Sequence, residues 1–262
     1  MEKVRLNKFI SNNLSYSRRQ ADDFIRRCMV LVDGRIVSDP SLRVSFENSI
    51  KVKGKLLVKR KGVEAIIYNK PRGEIVSRKD EKLRNVVYNS LPKKFRNFTY
   101  VGRLDFTSRG LLVLSNSSSF VHNLSTSDIE RVYVVKIDGF LNSSVINCMK
   151  TGINIKNSLR GANKKSKMRN IKINAFSRYK ILENKKKYSK VKLSLNEGRN
   201  REIRRFFAHF GFSIFDLKRV NFGVLELGSL PTKSFRYVNK VELLWLQKNI
   251  GEKLNRKYSN ES

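Results

Sequence analysis

Four consecutive apolar residues, Leu111-Leu112-Val113-Leu114, follow the polar connector Gly102-Arg103-Leu104-Asp105-Phe106-Thr107-Ser108-Arg109-Gly110. A run of that length and composition reads as a buried strand, so the chain is expected to build its core on a sheet. The connector brings a glycine, an arginine and an aspartate together immediately before it. A carboxylate beside an arginine, fixed in a turn against a buried strand, can be held rigidly for chemistry. A plain polar turn ahead of a core strand would have a similar composition.

Charge indicates the partner. The chain has 262 residues with 56 Lys+Arg against 22 Asp+Glu, a formal charge of +34. Such a surplus repels itself unless a polyanion neutralises it, and nucleic acid is the usual polyanion. A membrane surface is the other candidate, but no apolar run approaches the roughly 18–20 residues of a spanning helix. No apolar signal-peptide core follows Met1, and a cytoplasmic location is expected. Cys28 and Cys148 are far apart, and His122 and His209 are isolated, so neither metal-ligand spacing nor a disulfide framework is present. The glycines of a nucleophile elbow are missing too, which removes support for serine-histidine-acid catalysis.

Residues 1–60 read as a compact module. Leu6, Phe9, Ile10 and Leu14 recur at helical spacing, and Ser15 or Ser17 offers a cap for a second helix from Arg18 to Arg26. Val30-Leu31-Val32, Asp33-Gly34 and Arg35-Ile36-Val37 read as a hairpin, because Asp-Gly readily supplies the positive φ angles of a tight turn. Val44, Ile50, Val52, Leu56 and Val58 suggest further strands. Lys8, Arg18, Arg19, Arg26 and Arg27 would form a phosphate-binding face on the paired helices, although a solvated helix face carries such charges equally well. The segments Arg5-Leu6-Asn7-Lys8-Phe9-Ile10, Ser17-Arg18-Arg19-Gln20-Ala21 and Val30–Arg35 resemble the S-four RNA-binding domain. Its members usually have glycine where Cys28 stands, which implies a differently shaped helix end here.

Lys59-Arg60-Lys61-Gly62 reads as a charged linker to a second domain over 61–250. That domain opens with the strand-like Ala65-Ile66-Ile67-Tyr68 and the turn Asn69-Lys70-Pro71-Arg72-Gly73. Phe120, Leu124 and Ile129 suggest a helix, and Arg131 to Ile137 alternates as a strand. The stretch from Lys150 to Lys192 is densely basic, with Lys164, Lys165, Lys167, Arg169 and Lys185-Lys186-Lys187 interleaved with Phe176, Tyr179 and Tyr188. It reads either as a loop tracking phosphates while aromatics cover bases, or as solvated loops around one strand. Ile203, Phe206, Phe207 and Phe210 form an apolar helical stripe ended by Gly211. Arg199, Arg201, Arg204 and Arg205 then crowd the positive N-terminus of that helix, an arrangement that calls for a phosphate or a buried carboxylate nearby. Residues 251–262 read as a basic, disordered tail.

The Val101–Asn116 stretch resembles the catalytic signature of RNA pseudouridine synthases, in particular the small-ribosomal-uridine branch acting on ribosomal RNA. Asn69-Lys70-Pro71-Arg72-Gly73, Leu91-Pro92, Leu195–Phe207 and Leu217–Gly223 with Leu227-Gly228 match the same family in order. The segment Arg160-Gly161-Ala162-Asn163 departs from the family's Asp-Gly and Pro-Ala pattern, so substrate contacts are not carried over there. The resemblance implies an α+β fold: a small N-terminal S-four-like module, then a catalytic domain with a mixed, largely antiparallel sheet and flanking helices. It implies isomerisation of uridine to pseudouridine, in which the N1–C1′ bond breaks, the base rotates and C5 joins C1′. No cofactor or metal is needed, since nothing is oxidised and no group enters.

By the same resemblance Asp105 is the catalytic carboxylate, either a nucleophile at C1′ or an aid to loss of the C2′ proton. Tyr133 corresponds to the tyrosine that packs on the uracil ring once the base has been flipped. Arg204 is the expected partner of Asp105, with Arg199 as the fallback, because a guanidinium offsets the desolvation of a carboxylate. Arg103 would fill the space of the flipped base or pin a phosphate. Lys8, Arg18, Arg19, Lys70, Arg199 and Arg201 are expected on RNA. The partner is ribosomal RNA or a pre-ribosomal particle, more readily the large-subunit RNA, and the protein is expected to act as a monomer. The rival reading is a non-catalytic RNA-binding or ribosome-assembly protein; transfer RNA as substrate is a weaker third.

Overall fold

The computed structural model describes residues 3–14, 16–45, 47–57, 62–156, 161–162 and 170–258, the last eight as backbone only. The expected linker at 59–61, Ser15, Val58, Lys164, Lys165, Lys167, Arg169 and residues 259–262 lie outside the described residues.

The N-terminal elements follow from local chemistry. The helix Arg18–Arg26 starts at Ser17, whose hydroxyl accepts from the Gln20 N–H while the Gln20 side chain accepts from the Ser17 N–H. This reciprocal cap satisfies two donors that the first helical turn leaves open. The hairpin of Val30–Val32 and Arg35–Ile36 turns on Asp33 and Gly34, at φ 51° and 80°. Strands Ile50–Val52 and Lys55–Leu56 extend it to four strands, and helix Leu6–Asn13 packs beside the second helix. Leu6, Phe9, Ile10, Ala21, Phe24 and Ile25 bury against Val30, Val32, Val44, Ile50 and Val52 as one apolar core. Cys28 does not reshape the helix end. It takes φ 56°, the left-handed conformation a glycine would adopt there.

The larger part is a nine-stranded mixed sheet. Its spatial order is Arg178–Asn184, Tyr188–Leu195, Arg131–Asp138, Ile214–Phe222, Arg109–Ser115, Ala65–Lys70, Phe235–Tyr237, with two short strands paired alongside. All these neighbours are antiparallel except Ile214–Phe222 against Arg109–Ser115, which run parallel in register Lys218 to Arg109 and Arg219 to Gly110. The strand expected over Leu111–Leu114 is central, and every residue from Gly110 to Ser115 is buried. Helices Ser143–Thr151 and Glu202–His209 cover one face, where Val145, Ile203, Phe206 and Phe207 meet Tyr133, Val135 and Leu193. Helices Ser118–Thr126 and Lys240–Tyr258 cover the other, through Phe120, Leu124, Leu246 and Ile250. Each buried phenylalanine contributes roughly 1.5–3 kcal/mol.

The last helix corrects the expected tail. Its docked turns reach Ile250, and helical hydrogen bonding continues to Tyr258. Propagation adds one bond per residue fixed once a helix is nucleated, so the Lys- and Glu-containing sequence past Gly251 does not stop it.

Candidate active site

The connector from Gly102 to Gly110 is a wall rather than a loose loop. Val101 and Leu104 are buried at its start, and the Ser108 N–H donates to the Asp105 carbonyl at 3.0 Å. Beneath it sits Lys70, fully buried, whose Nζ donates to the carbonyls of Pro71 (2.9 Å), Asp105 (3.1 Å) and Ser108 (2.8 Å). One ammonium thus ties both ends of the Asp105–Ser108 turn to the Asn69–Gly73 turn. Burial pushes the Lys70 pKa down to about 8, against the pull of Glu74 and Asp105. Gly110 is required for a steric reason: a Cβ there would lie 2.2 Å from the Arg219 carbonyl oxygen on the parallel neighbour.

Asp105 meets the helix Glu202–His209 at its N-terminus. Arg201 Nη1 lies 2.9 Å and Arg204 Nε 3.1 Å from the same oxygen, Asp105 Oδ2. Arg204 is the more enclosed of the two, with 10% of its side chain exposed, and its Nη2 also donates to Ser108 Oγ at 2.9 Å. Desolvation lowers the Arg204 pKa, while Asp105 raises it. Arg201 holds the left-handed conformation, φ 53° and ψ 31°, as the residue that starts the helix, and its Nε donates to the Gly161 carbonyl at 2.7 Å. Strain of this kind in a bulky residue persists where surrounding contacts over-determine it, as they do here. The carboxylate that a crowd of arginines at a helix N-terminus demands is therefore Asp105. Among the described residues no hydrogen bond reaches Asp105 Oδ1.

Asp105 lines a cavity of about 390 Å³. Its floor is the sheet face bearing Tyr133, Leu217, Leu195, Arg131 and Arg219, and its walls are the Gly102–Ser108 connector, Ser125–Asp128 and Asn196–Arg204. Tyr133 is 9% exposed and stands opposite Arg219 on one neighbouring strand and Leu193 on the other. Arg103 and Arg199 line the cavity from exposed positions.

The predicted residues thus divide. Asp105, Arg204, Tyr133, Arg201, Arg103 and Arg199 converge on one cavity. Arg199 is not a partner of Asp105. It pairs with Glu197 at 2.5 Å and donates to the Lys172 carbonyl. Lys70 does not reach an RNA surface, since its side chain is fully buried and all three of its donors are spent on backbone carbonyls. Arg18 and Arg19 are exposed and Lys8 is half-buried on the N-terminal helices. Sequence reasoning missed Arg201 as the second Asp105 partner and gave no role to Ser108, Arg131 or Arg219. For Arg219 the only signal was its place in the Leu217–Gly223 segment.

Comparison with known proteins gives the family. Residues 64–209 match the RNA pseudouridylate synthase family, and residues 4–50 match the S4 domain. An uncharacterised RNA pseudouridine synthase of Helicobacter pylori is 38% identical over 91% of this chain and 92% of its own length. The ribosomal large subunit pseudouridine synthase B of Bacillus subtilis is 30% identical over 91% and 93% of the two chains. A crystal structure of a pseudouridylate synthase, 25% identical, superposes with a TM-score of 0.62 over 93% of this chain and 99% of that one. The chain belongs to the RNA pseudouridine synthase family. It is an enzyme that isomerises uridine in RNA, carrying an N-terminal S-four RNA-binding domain.

Proposed function

We propose that the protein isomerises a specific uridine of ribosomal RNA, with Asp105 as its catalytic residue and the large-subunit RNA as its substrate. The observation that carries the catalytic assignment is the position of Asp105: its Oδ2 takes both arginines, and the residue lines the cavity. A carboxylate oriented by two guanidiniums at the edge of such a cavity suits attack at C1′ or removal of the C2′ proton. Arg204 and Arg201 orient it. Tyr133 offers an apolar platform of the kind a flipped base stacks on. Arg103 and Arg199 meet phosphates at the mouth, while Lys8, Arg18 and Arg19 on a module over residues 1–60 dock more distant RNA, with catalysis in residues 61–250. The likeness to the Bacillus subtilis large-subunit enzyme supports the choice of RNA. On this reading the protein acts as a monomer in the cytoplasm, where ribosomal RNA is matured.

The test is carbodiimide-based pseudouridine mapping of both ribosomal RNAs in a deletion strain rescued with wild-type protein or with Asp105→Asn. A single large-subunit site, lost on deletion and restored by wild type alone, is the expected result. An unchanged map, with a growth or assembly defect that Asp105→Asn corrects, would establish a non-catalytic RNA-binding role instead.

A further inference from the structure

Two guanidiniums that share one carboxylate oxygen repel each other, and of the two on Asp105 it is Arg201 that has room to leave. Arg201 Nη1 and Arg204 Nε both approach Oδ2, at 2.9 and 3.1 Å. Arg204 is enclosed, and Ser108 Oγ gives it a second anchor. Arg201 keeps 24% of its side chain exposed, and a long side chain regains rotamer freedom when it swings into solvent. Its second anchor is the Gly161 carbonyl, which accepts from Nε at 2.7 Å. One planar guanidinium thus reaches a fixed backbone acceptor and Asp105 together, and two fixed acceptors leave it little freedom to turn.

Only a residue without a side chain brings that carbonyl so close. Gly161 holds φ 74°, and a Cβ there would lie 2.5 Å from the Arg204 carbonyl oxygen, 2.8 Å from the Arg204 carbonyl carbon and 3.0 Å from the Arg205 nitrogen. All three are backbone atoms, so no flexible side chain can yield. The helix that carries them is anchored, because Ile203, Phe206 and Phe207 are buried against the sheet. A side chain at 161 would therefore push its own backbone outward by roughly 1 Å, since favourable contacts lie near 3.5 Å. A hydrogen bond of 2.7 Å lengthened by that much is lost. The segment Arg160-Gly161-Ala162-Asn163, which the family resemblance left without a role, thus contains the backbone group that steadies Arg201.

We propose that Gly161 is a positioning residue for the isomerisation: its carbonyl holds Arg201 on Asp105, and Arg201 in turn orients the carboxylate that acts on the sugar. The inference rests on the synthase reading above, with Asp105 as the catalytic residue, and deepens it. Gly161 acts at one remove and needs no contact with RNA. Small misplacements of an orienting group lower a rate without weakening substrate binding, because they disturb the geometry of attack alone. Arg204 and Ser108 stay in place when Gly161 is altered, so the loss is that of Arg201 and no more.

The test is a double-mutant cycle on full-length protein under single-turnover conditions, with transcripts of both ribosomal RNAs and chromatographic separation of uridine from pseudouridine. G161A and R201Q are each expected to slow the reaction about fivefold, with RNA affinity within about twofold of wild type. The double variant G161A/R201Q should match R201Q within about twofold, since the Gly161 carbonyl then has nothing left to position. A glycine needed only for packing would add its loss to that of R201Q. Losses that multiply in the double variant, or G161A at the wild-type rate, overturn the assignment. If G161A does not fold, an ester in place of the amide between Gly161 and Ala162 keeps the shape and weakens the carbonyl as an acceptor, and the same cycle with R201Q decides. Wild-type protein inert on both transcripts overturns the ribosomal-RNA reading, and this inference with it.

Discussion

Lys70 makes stability and activity respond to pH in opposite directions. Its side chain is fully buried, and its pKa of about 8 compares with an ordinary 10.5. Below pH 8 the ammonium is charged in both folded and unfolded chains, and its desolvation penalises the fold. Between pH 8 and 10.5 the folded protein sheds the proton while the unfolded chain keeps it. The unfolded state then binds more protons, so stability rises with pH across that window. By pH 9.5 the gain is about 2 kcal/mol, as linkage gives for a site that has passed its folded pKa by one and a half units. The cavity wall bearing Asp105 changes the other way. A neutral amine has two N–H groups for the three carbonyls of Pro71, Asp105 and Ser108, so one is released and the Asp105 turn loosens.

Urea unfolding of wild type and K70M at intervals from pH 7 to 9.5 isolates the group. Tyr68 and Tyr88, both raised by burial, titrate above this window in the folded protein. The difference between the two proteins should grow by about 2 kcal/mol in favour of wild type, while the wild-type single-turnover rate falls with a midpoint near pH 8. A stability difference that stays flat from pH 7 to 9.5 would refute the reasoning.

The two arginines on Asp105 should be unequal. R204Q is expected to slow turnover ten- to a hundredfold and R201Q several-fold less, in the order of their enclosure and because Arg204 alone also holds Ser108; equal losses in a single-turnover assay would contradict this. Cys28→Gly should stabilise the N-terminal module by about 1 kcal/mol, since a left-handed cysteine is strained and a left-handed glycine is not; a lowered urea midpoint would count against it. Gly110→Ala should cost about 3 kcal/mol or more, because its Cβ would overlap the Arg219 carbonyl and no flexible side chain can yield; an unchanged thermal midpoint would show that the two strands separate easily.

Much of the architecture was legible because it is local. A capped helix, an Asp-Gly hairpin and an alternating strand each depend on residues within a few positions, and all three appear where periodicity places them. The cavity wall bearing Asp105 was legible as an Arg-Leu-Asp connector entering an apolar run. Its partners were harder. Arg199, Arg201 and Arg204 are equally basic in sequence, and the choice among them turns on Arg201 being left-handed, which sets it one turn from Arg204 on the face toward Asp105. Lys70 read as a surface cation because composition cannot report that three carbonyls, two of them from another segment, converge on it.

By itself, then, the sequence determined the elements, the order of their motifs and the position of Asp105 just ahead of a buried strand. Only the tertiary structure decided which arginines hold that carboxylate and which lysine is spent on backbone. The reason is distance along the chain. Helix caps and turns join residues a few positions apart, whereas Asp105 meets Arg204 across 99 positions and Arg219 meets Leu111 across 108, and the close parallel approach at Gly110 that allows the second contact exists only once the sheet has formed.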